Sequence, residues 1–215
     1  MKIFFKNLTA AFLLISLGAV AQANQVIDND NEPNFMDSQE YDPADPNIEA
    51  ILQEYDRYYE QETGESPWLD DAQPDALFTP VGGCYRVSCQ VFIHVKKSEQ
   101  KAYLYVDGAL VDRWLVSTGA QGHTTPNFDK NPNGRIYNKY SSSKFPGGDY
   151  NGLGNMPYAV FIEGGYALHG TPRDNWSKLG KRASHGCVRM HPENGKKFNQ
   201  LVRQAGVAKT WITVD

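Results

Sequence analysis

The chain has no apolar run long enough to cross a membrane as a helix. Its most apolar stretch, residues 8–20, has about 13 residues, whereas a transmembrane helix needs roughly 20. Lys2 and Lys6 precede this stretch and Ala21-Gln22-Ala23 follows it, the order typical of an export signal with its cleavage site. We therefore predict a signal peptide over residues 1–23, export across the inner membrane into the periplasm, and no stable membrane insertion after cleavage.

Cysteine is scarce, with three residues in the chain. An odd number in an exported protein indicates one disulfide and one free thiol. Cys84 and Cys89 are the expected pair, and the bond requires a bend after Gly82-Gly83, because residues five apart on one continuous strand would point to opposite faces. The alternative is that Cys187 is a buried structural thiol or bonds one of these two. No C-x2-C or H-E-x-x-H spacing is present, so we expect no metal and no cofactor.

Basic residues are almost absent from residues 24–80, which hold sixteen Asp and Glu but only Arg57. Residues 81–215 hold eighteen Lys and Arg against nine Asp and Glu, so the two segments carry net charges of about −15 and +9. A basic domain outside the cytoplasm suits an anionic polymer such as peptidoglycan. The alternative is a solvated surface without a specific partner, and we expect no nucleic-acid partner.

Residues 24–83 read as an acidic arm and linker with one amphipathic helix. The Asn/Asp-rich composition of residues 24–46 predicts disorder. Asn47 is placed to cap a helix and Gly64 to end it; its apolar residues recur at helical spacing, namely Ile48, Ile51, Leu52, Tyr55 and Tyr59. Pro and Gly mark residues 65–83 as a linker. This arm either folds back over the basic domain and restrains access to Cys187 or serves as a solvated spacer.

Residues 84–215 form the second predicted domain, which is mostly β with one helix near its end. Asp107-Gly108 lies between two β-rich runs and is a strong hairpin signal. Strands are predicted at 87–95, 102–106, 109–118, 134–141, 157–163, 166–169 and 210–214. Glycine and asparagine predict a long mobile loop at 147–155. Pro192 and Gly206 mark the start and end of the helix.

The chemistry-bearing residues are concentrated in one short pattern. His169 is followed, after fourteen residues, by Ser184-His185-Gly186-Cys187. A thiol is mostly protonated at neutral pH and needs a neighbouring base or cation to act as a nucleophile; His169 can serve as that base. A glycine before the nucleophile lets the backbone approach a substrate, so the N–H groups of Gly186 and Cys187 are expected to form an oxyanion hole. Papain-like peptidases place the cysteine before the histidine, which is the reverse of the order here.

This pattern, H-x14-S-H-G-C, resembles the signature of the L,D-transpeptidase catalytic domain, the YkuD family. The segments YLYVDGALVDRWLVSTG, Thr125-Pro126 and MPYAVFIEGGYALHG add to the likeness, which covers roughly residues 86–215. The resemblance implies a β-sandwich or barrel domain in which Cys187 is the nucleophile, His169 the base and the Gly170 carbonyl the group that orients the base. It also implies a contribution from a tyrosine upstream of His169, either Tyr158 or Tyr150.

Three further residues of the motif are candidates for substrate binding. By the family pattern His185 shapes the site and is not the primary base. Ser184 either holds the motif by local hydrogen bonds or contacts the substrate. Arg189 either binds a stem-peptide carboxylate in a bidentate fork or forms a structural ion pair. A metal site built from His169, His185, Cys187 and His191 is a rival without support in the spacing.

The resemblance implies a two-step acyl transfer on peptidoglycan stem peptides. Cys187 attacks the carbonyl between the third residue of a tetrapeptide and its terminal D-Ala, and an acceptor then takes the acyl group. A stem amine as acceptor gives a 3→3 crosslink, the lysine of a wall-anchored protein gives anchoring, a D-amino acid gives exchange, and water gives carboxypeptidase or amidase activity. The sequence leaves these open, and the rival of another class is a non-enzymatic wall-binding domain.

Overall fold

The computed structural model of the protein describes residues 43–69, 83–141 and 148–215. The predicted signal peptide, the predicted disordered segment up to residue 42 and most of the predicted linker lie outside these ranges. Within them, no helix is both long and apolar enough to span a bilayer.

Eight strands form one sheet that curls into a nearly closed barrel. They are β1 Val91–Lys96, β2 Lys101–Val106, β3 Ala109–Ser117, β4 Phe128–Lys130, β5 Val160–Glu163, β6 Tyr166–Gly170, β7 Val188–Met190 and β8 Thr210–Val214. Their order across the sheet is β4-β8-β1-β2-β3-β7-β6-β5. Two α-helices are described, α1 Ile48–Thr63 and α2 Pro192–Ala205. The predicted mostly β fold with a C-terminal helix is confirmed.

The β2–β3 hairpin forms at the predicted turn. Asp107 and Gly108 both have positive φ, 49° and 79°, as a two-residue turn of this kind requires, and Val106 pairs with Ala109. On the other side of the hairpin, β1 pairs antiparallel with β2 and parallel with β8. Side chains on one face of these strands, including Ile93 and Leu104, are fully buried in the barrel core.

Cys84 and Cys89 form a disulfide, as predicted, with Cα atoms 4.8 Å apart. The predicted strand over 87–95 is wrong at its start, because Arg86–Ser88 forms a 3-10 turn and β1 begins at Val91. This turn, rather than a bend directly after Gly83, brings the two cysteines together: the Cys89 N–H donates to the Arg86 carbonyl at 2.8 Å.

The predicted strand over 134–141 is also wrong. Only isolated bridges occur there, at Arg135 and Ile136, because the backbone bonds residues 67–69 on one side and 159–161 on the other without forming a continuous ladder. The Arg135 side chain is fully buried and bonds Glu49 and Asp56 of α1. The short strands β4 and β7 were not predicted.

Helix α1 has the predicted bounds and packs on the barrel. Asn47 precedes the helix, although its side chain makes no capping hydrogen bond, and Gly64 ends it at φ 70°. The rings of Tyr55 and Tyr140 lie 4.4 Å apart between centroids, and those of Tyr59 and Tyr137 5.2 Å apart. The helix assigned to the acidic arm therefore shares a buried interface with the predicted second domain.

Residues 148–155 of the predicted loop form a compact turn. The Asp149 carboxylate accepts hydrogen bonds from the N–H groups of Gly152 at 2.6 Å and Gly154 at 2.7 Å. The turn is joined to the barrel where the Tyr140 N–H donates to the Leu153 carbonyl at 3.1 Å.

Candidate active site

His169 lies near the end of β6 with its ring oriented by a backbone group. Its Nδ1 is 2.6 Å from the Gly170 carbonyl oxygen, the arrangement that the family resemblance implied. That contact assigns the Nδ1 hydrogen to the carbonyl and leaves Nε2 to accept a proton. A methyl group on Gly170 would lie 2.8 Å from Pro192 Cα and 3.1 Å from the Pro157 carbonyl oxygen. Only glycine therefore allows α2 to pack this closely behind the histidine.

Cys187 lies directly before β7, which pairs in parallel with β6 so that His169 is opposite Arg189. The same register places Cys187 beside Ala167, and the two strands thus bring the cysteine and histidine of the motif to neighbouring positions on one face of the sheet. Cys187 is the free cysteine, so it does not bond Cys84 or Cys89. Its side chain is buried, with the thiol 3.5 Å from the Gly165 carbonyl oxygen.

Burial acts on the pKa of both side chains. Burial raises the pKa of the Cys187 thiol to about 11, although the Ala167 backbone and the Arg189 charge act in the opposite direction. Burial also lowers the pKa of His169 to about 3, and the charge of Arg189 adds to that effect. Burial thus shifts each pKa in the direction that favours the neutral form of the side chain.

Ser184 holds the backbone of the motif. Its hydroxyl donates to the Cys187 carbonyl at 2.6 Å and accepts the Gly186 N–H at 3.1 Å. It is 1% exposed, so the structure assigns it local bonds and not a substrate contact. The prediction that the Gly186 N–H points into an oxyanion hole needs correction, because Ser184 already accepts that group. The Cys187 N–H is then the motif's candidate oxyanion donor.

The YkuD L,D-transpeptidase catalytic domain matches residues 90–213 of this chain. The chain belongs to this family. Three solved structures of L,D-transpeptidases are similar to this chain. LdtMt1 in complex with imipenem has 19% identity and a TM-score of 0.48, and the match covers 59% of each chain. An enzyme from Mycobacterium tuberculosis H37Rv has 18% identity and a TM-score of 0.47, with 59% of this chain and 58% of that one covered, and one from Stackebrandtia nassauensis has 20% identity and a TM-score of 0.46, with 64% and 60% covered.

The chain spans about 60% of the length of these structures. Comparison with curated proteins gives no match.

Arg189 of this YkuD domain holds the segment that leads to Cys187. Its guanidinium donates to the Ala183 carbonyl at 3.1 Å and approaches His185 Nδ1 at 3.3 Å. Neither of these partners is a carboxylate, so the predicted alternative of a structural ion pair is not seen among residues 43–69, 83–141 and 148–215. Burial lowers the pKa of His185, as do the charges of Arg189 and His123. His185 is thus a neutral acceptor from Arg189.

The two candidate tyrosines differ in their settings. Tyr150 donates its hydroxyl to the Glu193 carboxylate at 3.0 Å. Tyr158 is half-buried and has φ 59°, a left-handed conformation that is strained for an aromatic residue. Such strain is found preferentially at functional sites. The geometry therefore favours Tyr158 over Tyr150 as the tyrosine of the site, and its contact with substrate stays a prediction.

The N-terminal part of the described chain packs near Cys187. Leu52 and Tyr55 of α1 belong to the same buried apolar cluster as Cys187. Pro43, which is also buried, lies closer still: a methyl group on Gly186 would be 3.7 Å from Pro43 Cγ. The helical spacing predicted an apolar face on α1, and the structure adds that this face belongs to the same buried cluster as Cys187.

The rival metal site gains no support from the geometry. Among the residues with described positions, no group of three or more His, Cys, Asp and Glu side chains is arranged to hold a metal ion. His123, which sequence reasoning missed, lies against His185 with ring centroids 5.0 Å apart, and its only sequence signal is its place just before Thr125-Pro126.

Proposed function

We propose that the protein is an exported cysteine acyltransferase that acts on peptidoglycan stem peptides in the periplasm. The observation that carries this proposal is the placement of the free thiol of Cys187 beside β6, where His169 has its ring fixed by the Gly170 carbonyl. The arrangement combines a nucleophile, a base and a group that orients the base, as covalent catalysis requires.

The first step forms a thioester. Cys187 Sγ attacks the carbonyl carbon between the third stem residue and the terminal D-Ala while the thiol proton passes to His169 Nε2. The C–N bond then breaks, and D-Ala leaves with that proton on its amine. The Cys187 N–H is placed to stabilise the oxyanion, and such a donor contributes about 10²-fold or more to the rate.

The second step transfers the acyl group to an acceptor. An acceptor amine attacks the thioester and gives one proton to His169, which returns it to the departing sulfur. We propose a stem amine or the lysine of a wall-anchored protein as the acceptor. Water in the same position gives the hydrolytic alternative, an L,D-carboxypeptidase or amidase. The Arg189 charge acts on both His169 and Cys187, and a guanidinium suits a stem carboxylate.

Purified protein incubated with tetrapeptide muropeptides tests this function. Mass spectrometry should show loss of D-Ala together with a crosslinked or exchanged product, and Cys187→Ala should give neither. Loss of D-Ala with a free tripeptide as the sole product would favour the hydrolytic alternative. Intact muropeptides after incubation with wild-type protein, together with binding to the wall, would favour the non-enzymatic alternative.

A further inference from the structure

Thr125 makes two buried hydrogen bonds in the segment between β3 and β4. Its hydroxyl donates to the Gly186 carbonyl at 2.7 Å and accepts the Gly119 N–H at 2.8 Å. The residue is 1% exposed, and its own carbonyl accepts from the Lys97 ammonium at 2.9 Å. A buried hydroxyl that both donates and accepts fixes the groups on either side of it.

Gly119 allows this segment to approach so closely. A methyl group on Gly119 would lie 1.8 Å from the His123 carbonyl oxygen and 2.7 Å from the Thr125 nitrogen, distances that no side chain tolerates. Gly119 also pairs with Ser184 across an isolated parallel bridge. The Thr125 hydroxyl is therefore held against the catalytic motif by the backbone on both sides.

The bond to Gly186 sets the direction of the nucleophile's own N–H. The peptide that joins Gly186 to Cys187 is planar and trans, so its C=O and N–H point in opposite directions. Fixing the Gly186 carbonyl with Thr125 thus fixes the Cys187 N–H on the other side. Ser184 holds the Gly186 N–H and the Cys187 carbonyl. The hydroxyls of Thr125 and Ser184 therefore hold three of the four polar backbone groups of Gly186 and Cys187. The fourth group, the Cys187 N–H, is the candidate oxyanion donor.

We propose that Thr125 is a positioning residue for acyl transfer, which aims the Cys187 N–H at the carbonyl oxygen of the acyl donor. This inference rests on the proposed function. It predicts a specific defect, since oxyanion stabilisation accelerates attack on a carbonyl but has no part in alkylation of a thiol. A residue that served only to keep the site folded would affect both reactions.

The test compares Thr125→Val, which keeps the shape and loses the hydroxyl, with Thr125→Ser, which keeps the hydroxyl. Two rates at Cys187 are measured by intact mass: acylation by a carbapenem and alkylation by iodoacetamide. Thr125→Val should lower the acylation rate by about 100-fold, the usual effect of losing an oxyanion contact, and leave alkylation near the wild-type rate. Thr125→Ser should restore acylation. On tetrapeptide stems the loss should fall on kcat and not on KM.

Equal loss of both rates in Thr125→Val, or acylation at the wild-type rate, would overturn the positioning role. Thr125→Ala supplies the same comparison should the valine variant not fold. Failure of the proposed function has a different signature, because wild-type protein would then be acylated by the carbapenem and yet leave tetrapeptide stems unchanged.

Discussion

Replacement of Asp56 in α1 by alanine should expose Cys187 to thiol reagents. Asp56 is buried and accepts three hydrogen bonds from the Arg135 guanidinium at 3.0 to 3.2 Å. It also accepts from the indole of Trp68 at 3.2 Å and from the Tyr137 hydroxyl. Arg135 itself has no exposed side-chain surface. Without the Asp56 carboxylate, the buried Arg135 guanidinium keeps Glu49 as its carboxylate partner, at 2.7 Å.

The expected change in labelling rate follows from the cost of leaving Arg135 without one of its two carboxylate partners. Breaking a buried ion pair by deleting one partner costs roughly 3–5 kcal/mol, and we take about 3 kcal/mol because Glu49 remains as a partner. If the reagent reaches Cys187 only when α1 and Pro43 lift away, the population of that open state rises by the same free energy. A change of about 3 kcal/mol corresponds to roughly a 100-fold faster labelling rate, at about 1.4 kcal/mol per tenfold.

The assay follows labelling of Cys187 by iodoacetamide with intact-mass detection. Glu62→Ala is the matched control on the same helix, because Glu62 pairs with Lys139 at a half-exposed site, where an ion pair contributes about 0–1 kcal/mol. Hydrogen exchange in β1 and β2 should stay slow in both variants, which separates lifting of α1 from global unfolding. Labelling of Asp56→Ala at the rate of Glu62→Ala would refute the reasoning.

The remaining predictions concern the motif residues, the pH dependence of stability, the disulfide and the acidic arm. Cys187→Ala should abolish turnover with the fold intact by circular dichroism, and His169→Ala should be nearly as inactive. His185→Ala should lose less activity than His169→Ala; an inactive His185→Ala beside an active His169→Ala would reverse the assignment of the base. Burial lowers the pKa of His169 from 6.5 to about 3, so between these pH values the unfolded chain binds a proton that the folded protein does not. The free energy of unfolding should therefore fall as the pH drops from 6.5 toward 3. Urea unfolding of His169→Gln should show a weaker pH dependence than that of the wild-type protein. Reduction of the Cys84 disulfide should cost about 2 kcal/mol of stability by the loop-closure estimate for so short a loop, and an unchanged urea midpoint in reductant would contradict it. In a chain that starts at Val81, thiol reagents should label Cys187 faster than in the mature protein, and added salt should reduce the difference between the two rates because it screens exposed charges. Equal labelling rates at every salt concentration would favour the interpretation of the acidic arm as a solvated spacer.

Local sequence signals were sufficient for the elements whose physics is local. The Asp107-Gly108 turn fixes its hairpin because both residues tolerate positive φ. Helix α2 begins at Pro192 and ends before Gly206 as predicted. The spacing of His169 and Cys187 predicted the reactive pair, and the structure places His169 on β6 and Cys187 directly before the neighbouring parallel strand β7.

The sequence could not show contacts made between distant segments. Arg135 bonds Asp56 across 79 residues and Glu49 across 86, and nothing near Gly134-Arg135 indicates a buried cation. The segment therefore read as a strand from its local composition. The same limit applies to Thr125, whose role depends on a contact 61 residues away with Gly186. Short strands such as β7 escape prediction because three residues carry no clear periodicity.

The most direct test of the central claim is capture of the acyl-enzyme. Wild-type protein is mixed with a tetrapeptide stem in the absence of an acceptor amine, quenched in acid within its first turnovers, digested and mapped by mass spectrometry. The account predicts a tripeptide acyl group on Cys187, release of one D-Ala per acylated chain, and no adduct in Cys187→Ser. Release of D-Ala without acylation of Cys187, or an acyl group on another residue, would contradict it.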